Sequence, residues 1–154
     1  MTLHGEDERV YNSILRDLAQ SRQALGMKRF VQHGSVSTYD HAENVARLSY
    51  IIYKRLRLRA DLRALLRGAF LHDFFLYDWH KKREGERLHG FAHPEIAAHN
   101  AQKFFGIGNK ERHIILCHMW PLTITRLPRC REAWVVCIAD KLCSIMETVA
   151  MRRR

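Results

Sequence analysis

The sequence predicts an all-α domain, a compact bundle of six to seven helices. Three observations predict it. Apolar residues recur at helical spacing along most of the 154 residues, and no segment sustains the apolar–polar alternation of a half-buried strand. Proline (3) and glycine (8) are scarce, which leaves little material for turn-rich β architecture or long linkers. The length suits one core, and there is no internal repeat, low-complexity tract or composition break, so residues 1–154 read as a single domain.

Taken in order, the first helix is expected over about 7–24, with Val10, Ile14, Leu18 and Leu25 on its apolar stripe. A short helix near 27–32 follows, and "QHGSVSTYD" reads as a loop. Thr38 and Asp40 are N-cap residue types for a helix that continues to about 56. Asp61 starts the next helix, expected to end near Phe75. The polar stretch 79–91 reads as a loop, and Pro94 suits the first turn of a helix reaching Phe105. Asn109 caps a helix to Cys117, "MWPLTITRLPRC" with its two prolines reads as a loop, and the last helix spans about Arg131 to Met151.

Placing polar residues on these faces isolates an unusual set. In the 61–75 helix the apolar face is Leu62, Leu65, Leu66, Ala69 and Phe70; Asp73 continues that series and His72 borders it. His41 lies four residues before Val45, on the line that continues to Leu48 and Ile52. His93 begins the series Ile96, Ala97, Asn100, Ala101 and Phe104, and His118 follows Ile114 and Ile115. In the last helix Trp134, Val135, Ile138, Leu142, Ile145, Met146 and Val149 form the main expected face, with Val136 and Cys143 on its flank and Asp140 between them. Five helices therefore each turn a His or Asp inward. A buried carboxylate needs a partner, and no Arg or Lys is in register with Asp73 or Asp140 on its own helix. Four imidazoles and two carboxylates converging in a bundle form a site for divalent transition metals.

Charge bears on partners. Lys and Arg number 26 against 16 Asp and Glu, a formal +10, which favours phosphoesters, nucleotides or nucleic acid over cationic partners. His33, Lys81, Lys82, Arg83 and Lys141 are the candidate substrate-binding residues; for Lys81–Arg83 the competing reading is a solvated loop, and for Lys141 a stem packed toward a helix end. No run approaches the roughly 18 apolar residues of a membrane helix, and the polar start "MTLHGEDERV" has no leader-like apolar segment, so a cytoplasmic protein is expected. The four cysteines form no CxxC pair, and Cys137 and Cys143 read as small core residues.

The ordered set His41, His72-Asp73 and Asp140, with the flanks "YDHAENVARLSY", "LLRGAFLHDF" and "VVCIADKLCS", resembles the HD-domain superfamily of metal-dependent phosphohydrolases from about residue 30 to 147. The helix at 7–24 would then pack on that core. "HPEIAAHNA" and "HIILCHMWP" are similar to the segments carrying two extra ligands in its binuclear members. The resemblance implies one ion on His41, His72, Asp73 and Asp140, and a second on Asp73, His93 and His118. Asp73 would be the bridge, and Asp73 and His72 the residues nearest the chemistry. It implies hydrolysis by a hydroxide shared between two ions, among Fe, Mn, Co, Ni or Zn. The phosphodiesterases of the HD-GYP branch follow the pair with Ile-Gly-Lys; Phe74, Phe75 and Leu76 stand here, and the GYP segment is absent, which removes the case for cleavage of cyclic dinucleotides. The flanks look like those of small stand-alone bacterial HD proteins. The substrate class that remains is a small phosphomonoester, phosphodiester or nucleotide. An HD-like diiron oxygenase and a non-catalytic nucleotide or nucleic-acid binding module are the alternatives, the latter resting on charge and expected to bind in a salt-sensitive way.

Overall fold

A computed structural model describes residues 2–33, 35–78 and 89–152. In chain order they form α1 (Gly5–Ala19), α2 (Arg22–Gly26), a 3₁₀ turn (Met27–Arg29), β1 (Val31–His33), β2 (Val36–Ser37), α3 (Thr38–Arg55), α4 (Leu62–Leu71), α5 (His89–Phe105), α6 (Asn109–Cys117) and α7 (Arg131–Arg152). The all-α expectation holds. One correction is the antiparallel pair β1–β2, which stands where the end of a short helix and a loop were expected, with Val31 opposite Ser37 and His33 opposite Val36. Its strands have three and two residues, too few for an alternating pattern to register.

The N-terminal segment is two helices, not one. The chain breaks at Gln20–Ser21, where Ser21 Oγ accepts from the Ala24 N–H at 3.1 Å and caps α2. The break also rotates the stripe: Tyr11, Leu15 and Leu18 are buried, Val10 and Ile14 half-buried, and Leu25 is exposed. Acidic residues of α1 fasten it to α3. Arg47 donates to both carboxylate oxygens of Glu8 (3.0 and 3.3 Å) and to Glu43 (2.9 Å), and Tyr50 Oη donates to Asp7 (2.9 Å).

Helix α3 packs chiefly on α4 and α7, and α4 also packs on α6. Val45, Ala46, Leu65, Leu66, Ala69, Phe70, Ile114, Ile115, Val136 and Ala139 are fully buried between them. The α4–α6 approach is set by Gly68, where a Cβ would sit 2.9 Å from both Cδ1 and Cγ2 of Ile114. Caps define the ends. Ser37, rather than Thr38 or Asp40, caps α3 by accepting from the Asp40 N–H (3.1 Å). Asp61 caps α4 through Ala64 (3.0 Å), and its own N–H donates to Glu132 of α7 (2.6 Å). Gly108, rather than Asn109, precedes α6, and its N–H donates to Glu111 (2.6 Å). Helix α5 begins before His93, so Pro94 lies inside it and forgoes the bond a helical N–H would make to residue 90.

The largest correction concerns α7. The expected inward face is the outward one: Trp134, Ile138, Leu142, Ile145, Met146 and Val149 are all exposed, Ile145 by 60%. The buried side is Ala133, Val136, Cys137, Ala139, Asp140, Cys143 and Glu147, with Val135 at its border. The helix is apolar nearly all round, so hydropathy alone does not choose a face. Small side chains on the chosen side let α7 lie close to α3 and carry its carboxylates inward. Among the described residues, no helix is long and apolar enough to cross a membrane.

Candidate metal centre

Each inward polar residue is delivered by a different element. His41 is in the first turn of α3, His72 is the C-cap of α4, and His118 is the C-cap of α6. His93 lies in the N-terminal part of α5 and Asp140 in mid-α7. Asp73 lies beyond the end of α4 rather than on its face, in a turn held by Phe74 N–H to Leu71 O (3.1 Å) and Phe75 N–H to Asp73 O (2.8 Å). Asn100 of α5 clamps that turn by donating to the carbonyls of Phe74 (3.1 Å) and Phe75 (3.2 Å). Three residues after Asp73 the backbone takes a left-handed conformation at Leu76 (φ 58°), an unfavourable geometry for a residue with a Cβ.

The six residues expected from the sequence come together, all buried. Oδ1 of Asp73 lies 3.2 Å from His93 Nε2 and 3.5 Å from His118 Nε2, and those two nitrogens are 2.9 Å apart. Oδ2 of Asp73 faces the other side, 3.3 Å from His72 Nε2 and 3.9 Å from His41 Nε2. Oδ1 of Asp140 lies 3.2 Å from His41 Nε2 and 3.7 Å from His72 Nε2. Three overlapping sets, His41–His72–Asp73, His72–His118–Asp140 and Asp73–His93–His118, each hold their ligand-type atoms within 4.8 Å of one another.

Ring orientations are fixed from behind. His72 Nδ1 lies 2.7 Å from the Ala69 carbonyl, and His118 Nδ1 lies 2.7 Å from the Ile115 carbonyl. Both are last-turn carbonyls without a helical partner. A carbonyl only accepts, so each Nδ1 carries a hydrogen, and in the neutral ring each Nε2 turns its lone pair to the centre. His41 Nδ1 instead meets Oε2 of Glu147 at 2.9 Å. The C-terminal ends of α4 and α6 also point their negative dipole ends here, which favours a cation.

The ionisation pattern follows from this crowding. Burial works against charging His41, but hydrogen bonds to Asp140 and Glu147, with Asp73 nearby, carry its pKa up to about 10. Burial likewise opposes ionising Asp140, yet the His41 hydrogen bond and the charges of His72 and His118 hold it at about 2. Asp73 is held well below the usual carboxylate range against its burial, by the imidazoles of His72, His118 and His93 that face it. Burial pushes His118 below an ordinary histidine.

Two atoms test whether a metal fits. His72 Nε2 and Asp73 Oδ1 are buried with no hydrogen-bond partner, a costly state for polar atoms unless something else engages them. Both face the centre. Mixed imidazole and carboxylate donors suit first-row transition ions, so the residues fit a divalent metal.

Sequence reasoning missed four polar residues. Gln32 of β1 donates to Asp73 Oδ2 at 2.5 Å, and strand residues carry no helical register to expose it. Asn100 was placed on its inward face without a role. Glu147 and Asn44, which donates to Glu147 Oε1 at 3.1 Å, were not singled out. Glu147 was legible: it follows Asp140 by seven residues, two helical turns, on the same side of α7. Of the expected substrate-binding residues, Lys141 borders the centre, donating to the His118 carbonyl (2.9 Å) and lying 3.9 Å from Asp140 Oδ2. His33 is in β1 with its side chain outside the described residues, and Lys81, Lys82 and Arg83 lie outside them entirely.

A helical domain whose buried centre gathers His41 from α3, His72-Asp73 from the end of α4 and Asp140 from α7 defines a class, that of helical folds able to hold a divalent metal. Residues 38–145 match the family model described as the HD domain. The chain belongs to the HD-domain family, within the superfamily of metal-dependent phosphohydrolases. No curated protein and no solved structure gives a match.

Proposed function

We propose that the protein is a metal-dependent phosphohydrolase acting on a small phosphomonoester, phosphodiester or nucleotide. The observation that carries this reading is the centre itself: six buried His and Asp side chains face one another, with His72 Nε2 and Asp73 Oδ1 unsatisfied. In this reading His41, His72, Asp73 and Asp140 would hold one ion, and Asp73, His93 and His118 would hold a second. Divalent ions held here supply Lewis acidity, giving a nucleophilic water near neutral pH and neutralising charge on a phosphoryl oxygen.

The chain's own residues supply the rest. Asp73 sets the spacing of the two halves because its two oxygens face opposite ways. Gln32 restrains Asp73 through Oδ2. The backbone carbonyls behind His72 and His118 keep their Nε2 lone pairs on the centre. Lys141, part-exposed at the rim, is placed to meet an anionic group beside Asp140.

The test is metal analysis of the purified protein, followed by a phosphoester and nucleotide panel with Mn, Co, Ni and Fe. Turnover that requires a transition ion and is abolished in Asp73→Ala is expected. An iron-loaded protein that hydrolyses none of the panel and consumes O₂ with an organic substrate would replace this reading with an oxygenase.

A further inference from the structure

Glu147 lies beyond the segment that matches the family, and the ligand sets leave it without a task. It is a carboxylate only 9% exposed, and its surroundings are specific. Oε2 lies 2.9 Å from His41 Nδ1, and Oε1 accepts from Asn44 Nδ2 at 3.1 Å. The arrangement ties α3 to α7 twice over. His41 and Asn44 sit one turn apart on α3, Asp140 and Glu147 two turns apart on α7. His41 is thereby held at both ring nitrogens, Nδ1 by Glu147 and Nε2 facing Asp140 at 3.2 Å.

From this geometry we infer that Glu147 is a positioning residue for the metal centre, a carboxylate that holds His41 in the Nδ1–H form and strengthens its Nε2 as a ligand. The inference rests on the reading of His41 as a ligand. Its physical basis is the contrast with the other histidines. His72 and His118 are backed by neutral backbone carbonyls, whereas His41 is backed by an anion. A carboxylate accepting the distal N–H raises the basicity of the ligating nitrogen and fixes the ring plane. A glutamate used only to join α3 to α7 would be a costly choice, since a buried charge is harder to accommodate than a neutral amide of the same shape.

The experiment measures cobalt(II) affinity by chelator competition, together with the visible d–d spectrum, on four folded proteins: wild type, Glu147→Gln, His41→Ala and the double variant. Glu147→Gln keeps side-chain size and removes the charge. It is expected to lower cobalt affinity roughly tenfold to hundredfold and shift the spectrum, as loss of such an outer partner does. In the His41→Ala background the same substitution is expected to change neither, because the residue through which it acts is gone. Wild-type affinity and spectrum in Glu147→Gln would overturn the inference, and so would an equal loss in both backgrounds, which marks a merely structural role. A His41→Ala protein that binds cobalt as wild type does would instead bring down the ligand assignment of His41, and this inference with it.

Discussion

The Nε2 atoms of His93 and His118 lie 2.9 Å apart, and both face the same oxygen of Asp73. Two imidazoles brought this close by separate helices are held so only if something between them accepts both lone pairs or they share a proton. A metal ion does the first.

Ligand substitutions should therefore divide by side of the centre. On the two-ion reading proposed above, His118→Ala and His93→Ala are expected to lower the bound metal from two ions to one. Asp73→Ala, which removes an oxygen from both sides, is expected to lose both. Elemental analysis after dialysis reads the stoichiometry, and a His118→Ala protein retaining two ions would contradict the division.

The pH dependence has a definite sign. His41 rises from 6.5 to about 10 in the metal-free protein, so its stabilising contribution is complete below pH 6.5 and disappears as pH rises through about 10. Asp140 falls from 3.8 to about 2, so its contribution is complete above pH 3.8 and disappears as pH falls through about 2. Denaturant titrations of metal-free protein should show both losses. A metal displaces the His41 proton, so cobalt affinity should climb with pH, by at most about tenfold per unit for that proton. A flat affinity between pH 6 and 9 would contradict this.

Gly68→Ala tests the α4–α6 approach. An added methyl meets Ile114 at 2.9 Å on a fully buried face. Overpacking of this kind costs about 1–3 kcal/mol, against roughly 1 kcal/mol gained from helix propensity. Net destabilisation is expected by chemical denaturation, relieved in part when Ile114→Val is added.

Arg67 and Glu111 form the pair that joins α4 to the start of α6. Arg67 Nε donates to Glu111 Oε1, its terminal nitrogen donates to the Phe105 carbonyl at 3.1 Å, and Glu111 Oε2 accepts the Gly108 N–H. Glu111→Ala leaves the Arg67 charge part-buried and frees the α6 cap. A loss of about 3–5 kcal/mol is expected, read from the denaturation midpoint, with Glu111→Gln costing less because it retains the cap.

The sequence by itself determined the all-α class, the main helices and the six His and Asp residues that meet at the centre. A fixed angle per residue places His41, His93, His118 and Asp140 on lines continued by apolar neighbours, so their inward direction is legible wherever the helix is regular. Asp73 shows the limit of that reasoning. It was extrapolated along α4, but α4 ends at Leu71, and the turn clamped by Asn100 aims the carboxylate. Helix α7 shows a second limit. Its larger apolar side chains suggested the inward face, yet the bundle buries the side with alanines, valine and cysteines, because close approach to α3 requires small residues and the centre requires Asp140. Gln32 became visible only in space, since it meets Asp73 across 41 residues; the inward side of Glu147 was legible from Asp140, but its partner His41, 106 residues away, was not. Periodicity states which way a side chain points from its own helix. Which side chain waits there from another segment is decided by packing, and that decision set the partners of Asp73 and His41.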